Sequence, residues 1–214
     1  MFADSYSTIS SCAFTNRVLD SYISHLYSHL WERQEATTQF QGNGSNHELA
    51  ALLLTETIQH SLHTSKRPVY VLYLDAKSAF DLVLRQFLIN NLYDYGLRGQ
   101  GLLLIDERLK NRRTVCEWNG VMMGPIFDWW GLEQGGQNSS DFYKVFNNIQ
   151  LEVGQESELG VDLGGPNPLV VSPIGQADDV MLVYSLRAEK TKLQVFSDKK
   201  TCLPFKVQLC LLFL

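Results

Sequence analysis

Residues 169–185 read LVVSPIGQADDVMLVYS, and their pattern decides the class of fold. Two apolar runs flank a short acidic centre at Asp178 and Asp179. Runs of that kind around a polar turn predict a β-hairpin with the carboxylates at its tip. One other stretch is an equally clear strand. Residues 69–74, VYVLYL, are apolar and rich in β-branched and aromatic types; they follow Pro68 and end at Asp75. Two separate strands therefore each deliver carboxylate at an end or a turn.

Working outward, helical periodicity predicts the rest. Over 16–33, Leu19, Tyr22, Ile23, Leu26, Tyr27 and Leu30 follow the i, i+3, i+4, i+7 rule. QFQGNGSN (39–46) reads as a loop. A helix over 47–62 would bury Leu49, Leu52, Leu53 and Ile58, with Ser45 or Asn46 as its cap. Residues 77–95 carry Phe80, Val83, Leu84, Phe87 and Leu88 at helical spacing, and Gly96 marks the stop. A further helix is predicted over 100–111, ending in RLKNRR (108–113). Residues 114–130 suit one or two strands joined by a turn. GLEQGGQNSS (131–140) is a loop before a helix over 141–151, with Phe142, Val145, Phe146 and Ile149 on one face. The segment 159–168, rich in Gly and Pro, reads as loop.

Bulk properties bound the function. A chain of 214 residues allows one domain or a two-lobed one. With 45% hydrophobic and 19% charged residues it can build a packed core. The net charge of -5 and sequence pI near 5.5 argue against tight, non-specific nucleic-acid binding, while leaving room for a local basic groove. Cys12, Cys116, Cys202 and Cys210 are far apart with no CxxC pair, as in an intracellular protein with reduced thiols. The start, MFADSYSTIS, lacks the apolar core of a signal peptide. The apolar segment LPFKVQLCLLFL (203–214) is shorter than the roughly 20 residues a membrane span needs. The expectation is a protein of the cytoplasm or nucleus, neither secreted nor in a membrane.

Adjacent carboxylates repel and do not both stay ionised without compensation. A divalent cation compensates them. Mg2+ takes oxygen ligands, uses one or two protein carboxylates and leaves positions for substrate phosphates. Two such ions can hold the attacking and leaving oxygens of a phosphoryl transfer. Taken alone, an Asp-Asp pair in a turn is more often just a turn.

Three segments in order change that balance: DAKSAFD (75–81), GLEQGGQNSSDF (131–142) and QADD (176–179). In order and spacing they resemble the three central motifs of reverse transcriptases, most nearly those of non-LTR, LINE-like retrotransposons. Weaker likenesses extend the match. YSTIS (6–10) resembles the fingers motif, QFQGNGS the family's Gln-x-Gly-Phe loop, and EKTKL (189–193) its Lys-Thr segment. The resemblance covers about residues 6–198 and leaves 199–214 as an apolar tail outside the family pattern.

The resemblance implies an α/β fold of the α+β kind. Its parts would be right-hand fingers and a palm whose mainly antiparallel sheet carries helices, with no thumb. Asp75 and Asp178 would be the main ligands of two Mg2+ ions, or of Mn2+ in their place, assisted by the Ala76 carbonyl and supported by Asp179. Phe80 matches the aromatic gate beneath the sugar of the incoming nucleotide. Gln134 and Gly135 match the loop that touches template and nucleotide. Lys190 matches a lysine near the triphosphate. The partners implied are an RNA template, a DNA primer and deoxynucleoside triphosphates.

Plainer roles stand beside these. Phe80 at a helix start suits a core, Gly135-Gly136 suits a turn, and RLKNRR suits a solvated helix end, or a phosphate-backbone contact. His25 and His29 lack the Glu of an HExxH pair and read as surface residues, as do His60 and His63. Departures from the family also count. Gln176 stands where it has Tyr or Phe, Ser7 replaces its fingers arginine, and Ser140 stands where proline is usual. Only residues 185–189 separate Tyr184 from Lys190, where the family places a helix. A crossover helix needs a dozen or more residues, so one sheet face is expected to lose cover and expose apolar surface. Two functions follow. One is an RNA-directed DNA polymerase, weak or inactive in this form. The other is a non-catalytic retrotransposon relic that binds nucleic acid weakly at most. A protein-interaction domain unrelated to polymerases would require the ordered motifs to be coincidence.

Overall fold

A computed structural model of the chain describes residues 13–32, 38–40, 46–76, 78–110, 112–156, 160–166, 169–176 and 179–185, and the backbone of 205–212. YSTIS, most of the loop at 41–45, Asp178, Lys190 and the EKTKL segment lie outside the described residues. Among those described, six α-helices and small antiparallel sheets give an α+β fold. The chain divides into two compact units. One comprises Met1–Arg33 and Phe80–Phe146; the other comprises Gln34–Ala79 and Asn147–Leu214.

The second unit holds the main sheet. Its central strand, β1 (Val69–Ala76), pairs antiparallel with β7 (Asp179–Ser185), and β7 pairs with the short β6 (Ile174–Gln176). The hairpin predicted over 169–185 is present, with Gln176 opposite Asp179. Its first arm is broken, however. Val170–Val171 forms a separate strand, β5, paired with β4 (Val161–Asp162), which lies inside the stretch read as loop. Pro173 has no N–H for the ladder, which divides the arm. Beside the break, the Val183 N–H donates to the Ser172 hydroxyl at 3.3 Å.

The apolar stretch predicted as a tail adds a strand to the sheet. Its residues Phe205–Leu212 form β8, which pairs antiparallel with the other edge of β1 from Val69 to Ala76. The sheet order is β6-β7-β1-β8.

Cover on the sheet follows strand alternation. Val69, Val71, Val183 and Ile174 form a core cluster with Ala50, Val161 and Val171. Leu53, Leu54 and Ile58 of α3 (His47–Gln59) pack against it. On the opposite face Leu151 and Val180 cluster with Leu74 and Leu182, while Tyr70 and Leu72 are half-buried. Asn46 caps α3, its side chain accepting from the Leu49 N–H at 2.9 Å. A π-helical turn, His60–Thr64, continues the helix. Leu49 and Leu52, expected inside, are exposed, because the face of α3 that meets the sheet is the one bearing Ala50, Leu53 and Thr57.

In the first unit the helix read over 16–33 breaks at Tyr27 into α1 (Phe14–Leu26) and α2 (Ser28–Trp31). Ile23 is buried as expected, but Tyr22 and Leu26 are exposed and the carboxylate of Asp20 is buried instead. The helix read over 77–95 begins only at Arg85, as α4 (Arg85–Tyr95), and Gly96 ends it in the left-handed conformation. Residues 78–82 are turn. Ser78 has φ of 56°, and the carbonyls of Phe80 and Val83 are taken by the N–H groups of Leu132 and Gly131 at 2.7 and 2.8 Å. Those acceptors are therefore unavailable to a helical ladder.

After α4 come α5 (Gly99–Lys110) and a hairpin of β2 (Arg113–Trp118) and β3 (Val121–Phe127), turned at Asn119-Gly120. α6 (Ser139–Glu156) is longer than the predicted 141–151 and contributes to both units. Residues 142–148 are buried one after another, including Lys144, whose ammonium donates to the Trp31 carbonyl at 2.8 Å. No described helix is long and apolar enough to cross a membrane.

Candidate active site

The register of the main sheet decides which carboxylates meet. Asp75 on β1 lies directly opposite Asp179 on β7. Residues directly opposite in an antiparallel pair share a face, with Cα atoms about 4.5–5.5 Å apart. Both aspartates are exposed, at the end of β1 and at the start of β7. Asp178 precedes Asp179 in the chain but lies outside the described residues. The row extends both ways. On β6, Gln176 opposes Asp179; on β8, Lys206 opposes Asp75. The cross-strand row is thus Gln176, Asp179, Asp75, Lys206.

Gln176 is half-buried. Its Oε1 is buried and has no hydrogen-bond donor among the described residues. Ala76 follows Asp75 as the last residue of β1, is buried, and pairs with Phe205 of β8. The oxygen donors of Asp75 and Asp179 and the undonated amide oxygen of Gln176 suit a hard divalent cation. Among the described residues no group of three His, Cys, Asp or Glu side chains forms a metal site.

The first unit positions the remaining candidates. The Phe80 ring stacks on Tyr143, with centroids 5.0 Å apart and planes inclined by 30°. Its turn is tied to the segment ahead of Gln134 by the bonds from Leu132 to Phe80 and from Gly131 to Val83. Gly131 has φ of 82°, and a Cβ there would approach the Asp81 carbonyl oxygen to 2.8 Å. Glycine alone permits both the conformation and the contact. Gln134 and Gly135 follow in an exposed turn, with φ of 98° at Gly135. The structure therefore joins Phe80's turn to the Gln134–Gly135 loop within one unit, and Asp75 to Asp179 within the other.

Sequence reasoning passed over the residue that anchors this loop. Arg85 is 7% exposed. Its guanidinium donates to the carbonyls of Gly131 at 2.9 Å, Leu109 at 2.6 Å and Trp130 at 2.8 Å, and also to that of Asp128. Burial, and then the nearby Arg112, lower its pKa from the ordinary arginine value. An arginine stays charged all the same. A signal was present: Arg85 shares the buried face of α4 with Leu88, Leu92 and Tyr95.

The basic run RLKNRR is neither free nor simply solvated. Arg108 pairs with the buried Asp20 and with Glu133 at 3.3 Å. Arg112 pairs with Asp128 at 3.2 Å, and Lys110 pairs with Asp106 one turn back. Acidic neighbours within the same unit pair with these three cations, while Arg113 is exposed and lies over the Phe127 ring at 5.2 Å, which weakens the argument for a phosphate-binding stripe. His25 and His29 are exposed, as expected. Neither a family model nor a curated protein matches the chain.

Proposed function

We propose that the chain is a reverse transcriptase-like polymerase domain of fingers-and-palm type, built to extend a primer with deoxynucleotides on an RNA template. The observation that carries this reading is the register that opposes Asp75 to Asp179. Two of the motif aspartates, more than a hundred positions apart in the chain, are neighbours in one sheet. In this reading Asp75, Asp178 and the Ala76 carbonyl hold two Mg2+ ions, with Asp179 in support. Bound Mg2+ would neutralise the carboxylates and draw charge from the phosphates being transferred. The Phe80 ring, held against Tyr143, would sit beneath the nucleotide sugar. The exposed Gln134–Gly135 turn would meet template and nucleotide, and Lys190 the triphosphate.

A second reading, a non-catalytic relic, has its own support. Arg108, Lys110 and Arg112 of the basic run pair with acidic neighbours, and the net charge is -5. Primer extension on an RNA template with Mg2+ or Mn2+ separates the two. Extension that disappears in Asp75→Asn and Asp178→Asn supports the enzyme. Folded protein that extends no primer at any metal concentration overturns it in favour of the relic.

A further inference from the structure

The hairpin of β2 and β3 is a two-stranded sheet of its own, so each strand has an edge with no strand partner among the described residues. The two edges are not alike. On β3, Gly124 and Pro125 together oppose the single residue Val115, because the register passes from Thr114–Ile126 to Cys116–Met123. Such a bulge, with a proline that lacks an N–H, blunts an edge against further pairing. β2 has neither proline nor extra residue. Strand alternation sets Arg113, Val115 and Glu117 on one face of it. All three are exposed, whereas Thr114 and Cys116 on the other face are half-buried. Val115, Trp118, Val121, Met122, Met123 and Ile126 make the hairpin a patch of exposed apolar side chains, which marks an interaction surface.

The charges on β2 complement themselves. Laid antiparallel on a second β2 about a two-fold axis at Val115, the strand brings Arg113 of each copy opposite Glu117 of the other, and Thr114 opposite Cys116. Opposite charges directly across a ladder stabilise it, and like charges destabilise it. Moving the axis to Arg113 or to Glu117 sets like charge against like, so the charges select the axis at Val115. We propose that β2 is a self-association edge: two copies of this chain join β2 to β2, antiparallel about Val115, in one four-stranded sheet ordered β3-β2-β2-β3. Such an interface uses the same patch on both copies and closes on itself as a dimer. The pairing draws on no residue of the carboxylate site.

Sedimentation velocity of the full chain, from about 1 µM to about 1 mM, tests the pairing across the range of a weak association. The parent is expected to move from monomer to dimer over that range. Arg113→Glu and Glu117→Arg each set like charges across both halves of the ladder, and each should weaken dimerisation about tenfold or more. The double swap of Arg113→Glu with Glu117→Arg restores opposite charges and should restore the dimer, which also separates lost pairing from lost folding. Val121→Lys, on the far strand, should dimerise as the parent does. A parent that stays monomeric at every concentration overturns the proposal. Single variants that dimerise like the parent overturn it too, as does a double swap no tighter than the single variants. Dissociation by Val121→Lys with indifference to Glu117→Arg moves the contact to β3 and overturns the β2 edge.

Discussion

At the scale of single residues, Arg85 ties four backbone carbonyls of the first unit together. Two of its four carbonyl acceptors, Gly131 and Leu109, are reached by buried hydrogen bonds. A buried carbonyl left without a donor costs about 1–3 kcal/mol, so Arg85→Met is expected to lower the unfolding free energy by about 2–5 kcal/mol in urea titration. Asp141, in the first turn of α6, gives a pH signature. Burial raises its pKa above the ordinary 3.8, and Lys144 offsets only part of that. The fold favours the protonated form. The associated stability is therefore present below the unfolded value and is lost as pH rises through the raised folded value. Asp141→Asn should be more stable than the parent at pH 7, and the difference should close by about pH 3. Urea midpoints at both pH values check this. Residues of this kind were only half legible. Asp75, Phe80 and Gln134 stood out through their motifs, whereas the burial of Asp20 and Arg85 depends on partners distant in the chain.

At the scale of elements, the join between the Phe80 turn and the 131–135 loop is the most testable. Gly131→Ala combines a left-handed backbone with a clash against Asp81, and an expected cost of about 1–3 kcal/mol follows. Gly120 provides the control. Its φ is also positive, at 76°, but a Cβ there would meet nothing within 4 Å, so Gly120→Ala should cost about 1 kcal/mol from the backbone alone. Unfolding midpoints of the two variants separate clash from strain. Helix and strand identities were largely readable. The 69–74 strand, the 100–111 helix and the pairing of 174–176 with 179–185 follow from periodicity and turn residues. The start of α4 was not, because carbonyls at Phe80 and Val83 find tertiary donors that no local pattern announces.

At the scale of the whole molecule, stability is unevenly distributed. Leu88 is fully buried in the first unit, while every residue of β3 is exposed, with Met122 at 66%. Leu88→Ala is expected to cost about 2–5 kcal/mol. Val121→Lys and Met122→Lys should each stay within about 0.5 kcal/mol of the parent, because neither leaves a cavity nor buries a charge. Chemical denaturation of the three variants measures the contrast. The sequence by itself determined the strands that carry Asp75 and Asp179 and a helix start at Ser45 or Asn46, since these rest on local periodicity and backbone preference. Only the tertiary structure decided that Asp75 lies opposite Asp179 in the ladder and chose Asn46 over Ser45 as the cap of α3. Strand register is a non-local choice: it is set by which face of each strand finds cover, and here by Val69, Val71 and Val183 packing beneath α3.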